Sequence, residues 1–253
     1  MKCLVTGGAG FIGSHLTAAL LQQGHEVVVL DNFSTGKKEN LPKGVKIIEG
    51  DIKDDNDVSR AISGCKVVFH LAAIIEARST DEDAVFNNNF LGSRVVFDAA
   101  KQAGVKIIFA SSTAVYGETK NSSEESECHP ISLYGKSKLK AEKICPEESF
   151  IVRLFNGYGP GGHSVVNKFV KLIPSYKEVT VYGHGNQTRD YIYVDDVVNA
   201  LLLGIENSGT YNVGTGKDVS VIELINMISE MTRSKADIVF TEPVPGEIVR
   251  SKA

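Results

Sequence analysis

The chain predicts an α/β fold: a doubly wound parallel sheet carrying a small C-terminal lobe. Three features of its 253 residues lead there. Apolar, β-branched runs alternate with segments of helical spacing as far as residue 155, which calls for parallel strands covered on both faces. A glycine turn joins the first such run to the first helix. Beyond residue 155 the alternation loosens into glycine-rich turns and short strands, the pattern of a lobe over the carboxyl ends of the sheet, where open α/β sheets bind ligands.

The first strand and helix, at 2–6 and 11–22, enclose Gly7, Gly10 and Gly13 in GxxGxxG spacing. Gly7 permits a bend that a side chain would block, Gly10 lets backbone approach a pyrophosphate, and Gly13 lets the helix pack on the strand. The amides and dipole at the helix start then face the anion. A second strand, 26–30, ends at Asp31, 18 residues past Gly13, near where a βαβ nucleotide unit sets an acid against the adenosine ribose. A carboxylate there accepts hydrogen bonds from ribose hydroxyls and repels a 2′-phosphate, favouring NAD over NADP. A strand-end cap is its other reading.

After the strand 45–49, Asp51 and Ile52 either flank the adenine or form a plain strand-end turn. Strands at 66–70, 105–110 and 149–153 complete the sheet, with helices at 55–62, 81–102 and 133–144 between them. Pro146 stops the last of these early. In the lobe, strands fall at 179–182 and 188–193 and helices at 195–205 and 220–231. The expected division is a dinucleotide-binding domain over 1–155, rejoined by 190–215, and a substrate lobe made of 156–189 and 216–253.

With 42% hydrophobic residues the chain can bury a substantial core. A net charge of −4 argues against nucleic-acid or acidic-membrane partners. No apolar stretch nears the ~20 residues of a membrane span. The start of the chain passes directly into a strand, with no room for a signal peptide. Cys3, Cys65, Cys128 and Cys145 are isolated and lack metal-ligand spacing, so a reducing cytoplasm and no metal are expected.

Tyr134 and Lys138 stand four residues apart, about twenty after the hydroxyl run Ser111, Ser112 and Thr113. On a helix such a pair shares a face. A phenol ionises near pH ~10, and a fixed cation beside it favours the phenolate; a drop of ~3 units needs roughly 4 kcal/mol. Ser112 could then pass a proton between substrate and Tyr134. A solvent-facing Tyr and Lys on an ordinary helix is the competing reading.

In order along the chain stand TGGAGFIGSH from Thr6, Asp31-Asn-Phe-Ser-Thr-Gly, His70-Leu-Ala-Ala, Asn89-Phe-Leu-Gly, Ser111-Ser-Thr-Ala-Val-Tyr-Gly, Tyr134-Gly-Lys-Ser-Lys, Arg153-Leu-Phe-Asn-Gly-Tyr-Gly-Pro, Arg189-Asp-Tyr-Ile-Tyr-Val-Asp-Asp and Tyr211-Asn-Val-Gly. Together they resemble the extended short-chain dehydrogenase/reductase superfamily, and within it the NAD-dependent epimerase/dehydratase family. The resemblance runs from residue 1 to about 250. It implies a Rossmann-like fold, bound NAD and a nucleotide-sugar substrate, a UDP-hexose above others.

Carried over by position, the resemblance makes Tyr134 the base, Lys138 its partner and Ser112 the catalytic hydroxyl, with Ser111 and Thr113 as weaker alternatives. Cofactor contacts fall on Gly7, Gly10, Phe11, Ile12, Gly13, Asp31, Asn32, Asp51, Ile52, Leu71, Ala72, Ala73, Asn89 and Ser111, shared with Tyr134 and Lys138. Asn89 is similar to the helix asparagine that supports the active site, or else a polar residue at a helix irregularity, and His70 reads as a satisfied strand-end histidine. Substrate contacts fall on Ser112, Thr113, Tyr134, Asn156, Val166, Tyr182 and Arg189. Asn156 and Arg189 match diphosphate-binding positions; a turn for Asn156, an ion pair of Arg189 with Asp190 or Asp195, and lobe packing for Tyr182 are the structural alternatives.

Two departures from the family pattern stand out. Few residues separate Lys143 from Phe150, so the Tyr134 helix is short and a homodimer built on it is left open. Val244 occupies the place of a second diphosphate-binding arginine, for which Arg250 is the candidate substitute. Family dehydratases and decarboxylases carry an acid just after the catalytic hydroxyl, where this chain has Thr113 and Ala114. Neither ionises at useful pH. The expected activity is therefore NAD-dependent nucleotide-sugar 4-epimerisation of the UDP-glucose/UDP-galactose type. A 4-keto-sugar reductase or dehydratase is the alternative, and a non-catalytic dinucleotide sensor the remote one.

Overall fold

The structure, a computed structural model, describes residues 1–74, 82–118, 122–176, 178–243 and 249–253. In chain order the Rossmann-like part runs β1 (Lys2–Thr6), α1 (Phe11–Gln22), β2 (Glu26–Asp31), β3 (Lys46–Glu49), α2 (Asp55–Ile62), β4 (Val67–His70), α3 (Glu82–Phe86), α4 (Gly92–Ala103), β5 (Lys106–Ser112), α5 (Leu133–Ile144) and β6 (Phe150–Leu154). There follow β7 (Asn156–Tyr158), α6 (Val165–Leu172), β8 (Glu178–Tyr182), β9 (Thr188–Tyr193), α7 (Val194–Leu203), β10 (Gly209–Val213), β11 (Asp218–Ser220), α8 (Val221–Thr232), β12 (Asp237–Thr241) and β13 (Arg250–Ser251).

Seven parallel strands form the main sheet in the order β10-β6-β5-β4-β1-β2-β3. The pleat sends successive side chains to opposite faces, and both faces are apolar. On one face Leu4, Val28, Leu30 and Val68 pack against Val58 and Ile62 of α2 and Val96 and Phe97 of α4. On the other, Cys3, Val5, Val27 and Val29 pack against Leu16 and Leu20 of α1 and Val197, Val198 and Leu201 of α7. A third apolar cluster joins Val166 and Phe169 of α6, Val179 and Val181 of β8, and Leu224, Ile225 and Ile228 of α8. Beside it β7, β9, β11 and β13 form a small sheet, and β8 pairs with β12.

The doubly wound sheet agrees with the sequence expectation; some elements differ in detail. The helix expected over 81–102 is interrupted by a π-helical turn at Asn87–Leu91, then resumes at Gly92. The crowding there is visible at Gly92, where an added Cβ would lie 2.6 Å from the Ile52 side chain. The sequence reading had no helix at α6 and no strand at β7, β10 or β12. Among the described residues no helix is long and apolar enough to cross a membrane, and no cluster of His, Cys, Asp and Glu could hold a metal. The four cysteines are free.

Candidate functional site

The glycine turn sits at the carboxyl end of β1 and is closed by its neighbours. Gly7 has φ +71°, a left-handed conformation that suits glycine, and an added Cβ would fall 2.7 Å from the Ala72 nitrogen. Leu71 and Ala72 therefore cross directly over the turn, with Ala73 next along the chain. An added Cβ on Gly13 would collide with the Gly7 carbonyl oxygen, so only glycine lets α1 start so close to β1. At Gly10, by contrast, the nearest atom to an added Cβ is the Gly7 oxygen at 3.3 Å, which leaves an open approach to the backbone. Gly10 is also the N-cap of α1 and offers no side-chain cap, so the first amides of a twelve-residue helix remain available to an anion. This donor set fits a dinucleotide pyrophosphate.

Asp31 is 9% exposed and turned toward the glycine turn. Its Oδ2 accepts the Ala9 amide at 2.9 Å and its Oδ1 accepts the Phe33 amide at 2.8 Å. The capping reading is thus realised. A carboxylate offers about four lone-pair positions, so two bonds leave room for ribose hydroxyls. Asn32 Nδ2 donates to Asp51 Oδ2 at 3.4 Å, which brings these two expected adenosine-side residues together, whereas Ile52 is buried against Gly92. The Phe11 ring lies against Gly157 and Gly162, under the crossing into the lobe.

Tyr134 and Lys138 occupy one face of α5, whose start is capped by the Ser132 hydroxyl accepting from the Gly135 amide at 3.0 Å. Ser112, at the end of β5, lies beside the Tyr134 phenol and favours its ionised form. Lys138 is 1% exposed; its Nζ donates to the Ala110 carbonyl at 2.9 Å and lies 4.7 Å from the Phe109 ring centre and 5.9 Å from that of Tyr134. The helix pair thus meets Ser112, about twenty residues earlier in the chain. The ionisation differs from the sequence expectation. Burial pushes the Tyr134 phenol up to about 12, against the lowering effect of the Ser112 hydrogen bond. Burial also pushes Lys138 down to about 7, opposed by the charge of Glu142. Desolvation outweighs the mutual attraction that the spacing alone suggested.

Two expected cofactor ligands prove to be occupied elsewhere. Asn89, fully buried in the π-helical turn, accepts from the Ile74 amide at 2.8 Å and from Asn88 at 3.1 Å. It donates to the Ile74 carbonyl at 3.0 Å and to Ser137 at 3.1 Å, and Ser137 in turn bonds the Tyr134 carbonyl at 2.7 Å. All four hydrogen-bonding positions of its amide are used, so Asn89 ties Ile74, next to the segment crossing the glycine turn, to α5. Ser111, 2% exposed, donates to Glu142 instead of facing the cleft.

His70 is buried between Thr6, at 2.7 Å from Nδ1, and Ser93, at 2.8 Å from Nε2. Ser93 donates to the Asn89 carbonyl, which assigns the ring proton to Nε2. Burial and the nearby Lys138 push His70 down to about 3, so it stays neutral, a satisfied strand-end histidine.

The substrate residues are less gathered. Asn156 opens β7 and donates to the Asp190 carbonyl at 3.4 Å, while Arg189 on β9 donates to the Thr188 carbonyl at 2.8 Å. Asp190 is fully buried, with its oxygens accepting from the Thr215 amide and hydroxyl and from the Gly216 amide at 2.7 to 3.1 Å. Tyr182 is exposed on β8, Thr113 opens a short 3-10 turn, and Val166 is 9% exposed within the lobe core. Val166 is thereby explained by packing. Val244 lies outside the described residues, and Arg250 bonds Asp218 through Nε at 2.7 Å.

Sequence reasoning missed a buried network behind the Tyr134 helix. Arg153 on β6 forks onto Glu142 of α5, its Nη2 2.7 Å from Oε2, and its Nη1 donates to the Tyr116 hydroxyl at 2.9 Å. Tyr116 donates to Asn212 of β10 at 2.8 Å. The one available signal was Arg153 inside the otherwise apolar run Phe150–Leu154.

A family description, NAD dependent epimerase/dehydratase, matches residues 3–214. A relative from Methanocaldococcus jannaschii, a putative UDP-glucose 4-epimerase, is 36% identical over 98% of this chain and 88% of its own length. A UDP-N-acetyl-alpha-D-glucosaminuronate decarboxylase from Bacillus cytotoxicus is also 36% identical, over 94% of this chain and 82% of its own. The solved structure of Thermus thermophilus UDP-glucose 4-epimerase in complex with NAD is 35% identical and superposes with a TM-score of 0.93, covering 100% of this chain and 90% of that one. Because the matched span takes in both the open glycine turn and the Ser112–Tyr134–Lys138 cluster, the chain belongs to the NAD-dependent epimerase/dehydratase family, and its cradle is one for NAD.

Proposed function

We propose that this enzyme interconverts UDP-hexoses that differ at carbon 4, of the UDP-glucose/UDP-galactose type. One observation carries the reading: Ser112, Tyr134 and Lys138 are gathered at the sheet end, and the residues after Ser112 are Thr113 and Ala114. Proton transfer at a hydroxyl is provided for; the extra acid that elimination or decarboxylation calls for is not.

NAD, when bound, supplies a hydride acceptor that is regenerated in each turnover. Tyr134 takes the proton of the sugar 4-hydroxyl, directly or through Ser112, which lies beside the phenol. Lys138, anchored on the Ala110 carbonyl, sets a positive charge beside Tyr134 and so favours the phenolate that accepts this proton. Asn156 and Arg189 hold the nucleotide diphosphate, so binding energy remote from the reacting carbon retains the substrate while the sugar turns over. Tyr134 then returns the proton to the same oxygen, after the tethered sugar has turned its other face toward the cofactor site.

The test is direct. Purified protein with NAD and no added reductant should convert UDP-glucose to UDP-galactose, followed by proton NMR of the anomeric signals. The decarboxylase likeness favours a second outcome. Release of carbon dioxide from a UDP-uronic acid, with UDP-hexoses untouched, would replace the proposed reaction by decarboxylation. Consumption of NADPH with a 4-keto sugar alone would replace it by reduction.

A further inference from the structure

The Tyr134–Lys138 pair has two ways of holding one proton fewer. It can be a phenolate beside an ammonium, which can accept a proton from sugar, or a phenol beside an amine, which is idle. These forms contain equal numbers of protons, so bulk pH cannot choose between them. Burial, hydrogen bonds and any fixed charge nearer to one group than to the other do.

Glu142 is such a charge. It follows Lys138 by four residues and Tyr134 by eight on α5, about 6 Å and about 12 Å along the axis at the usual helical rise. Its side chain is 7% exposed, and that of its partner Arg153 is 10% exposed. Both carboxylate oxygens are held: Oε1 by Ser111 and Arg153 Nε, and Oε2 by Arg153 Nη2 at 2.7 Å. The fork keeps the carboxylate from swinging onto Lys138, whose ammonium is tied to Ala110. Glu142 therefore lends its field without neutralising the lysine by contact.

We propose that Glu142 is a positioning residue of the site: clamped by Arg153 and Ser111 one turn beyond Lys138, it biases the shared proton toward the amine and away from the phenol. The inference rests on the proposed roles of Tyr134 and Lys138.

The groups that could mask the effect are few. On its own helix Lys138 meets Tyr134 and Glu142; from β5 it meets the Phe109 ring and the Ala110 carbonyl, and from β4 the neutral His70. Glu142 meets Ser111 from β5 and Arg153 from β6, with the Cys128 and Cys145 thiols in electrostatic range. Burial raises both thiols, which keeps them uncharged near neutrality.

The test follows the lysine itself. In full-length protein with isotope-labelled lysine, the Lys138 signal, assigned by its loss in Lys138→Met, is titrated by NMR. In Glu142→Gln the Lys138 pKa should fall by about one unit, and turnover near neutrality should drop by about tenfold. NAD affinity should stay within a factor of two. Glu142→Asp keeps the charge and should restore the titration toward wild type. Glu142→Gln orphans a buried guanidinium and can unfold the protein. Glu142→Gln/Arg153→Gln removes both charges and should show a smaller fall of the same sign. A Lys138 titration unmoved in the folded variants overturns the proposal, even where turnover is lost. Failure of wild-type protein to turn over any UDP-hexose overturns the proposed reaction instead, and the titration still decides the role of Glu142.

Discussion

Replacing Tyr134 by Phe removes one oxygen and leaves the ring that packs near Lys138. Conversion should fall by at least about a thousandfold, with NAD binding retained, as read by fluorescence titration. Retained turnover would take Tyr134 out of the mechanism. The trio of Ser112, Tyr134 and Lys138 was legible from spacing and motif alone, because each contributes by residue type and local position. What the trio does with its protons was not. Its ionisation depends on how deeply the helix sinks against β5, and Lys138 ends 1% exposed. The partners of Asn89 and Ser111 were hidden for a related reason. Their motif marks them as site residues, but their hydrogen bonds go to Ile74, Ser137 and Glu142, and such partners cannot be counted before the chain is folded.

Among the elements, the turn between β1 and α1 is the most tightly determined. Gly13→Ala places a methyl group against the Gly7 carbonyl oxygen, so the helix start must retreat from the strand. The expected result is a loss of about 1–3 kcal/mol in urea unfolding together with at least about tenfold weaker NAD binding by calorimetry. Unchanged affinity would mean that the pyrophosphate is not bound there. The ends of α1 and α5 were readable because Gly10 and Ser132 stand at their starts and Pro146 lies just beyond the second. Strand β10 was not. Its Gly-Thr-Tyr-Asn-Val run has little apolar content, and it becomes a strand only by pairing with β6. The π-helical turn was equally hidden, since the sequence shows helical spacing there without the crowding of Gly92 on Ile52.

At the scale of the whole molecule, a buried lysine makes stability depend on pH. Lys138 lies near 7 in the fold against an ordinary 10.5, so between those values the unfolded chain binds more protons and stability rises with pH. Below about pH 7 that contribution is lost. From pH 7 to 9, urea unfolding should show a slope reduced by up to about 1.4 kcal/mol per pH unit in Lys138→Met relative to wild type. Equal slopes would mean the lysine is not desolvated as described. Above pH 9 the raised thiols of Cys3 and Cys145 work in the opposite sense, which limits the useful window. The order of the main sheet carries one more implication. Its outermost member beyond β6 is β10, drawn from Gly209–Val213 after the intervening lobe segments. On a ribosome, β6 must wait with bare amides and carbonyls until that stretch emerges. Such an open border invites pairing with neighbouring nascent chains, so slow translation or truncation before residue 209 should favour insoluble product over folded enzyme.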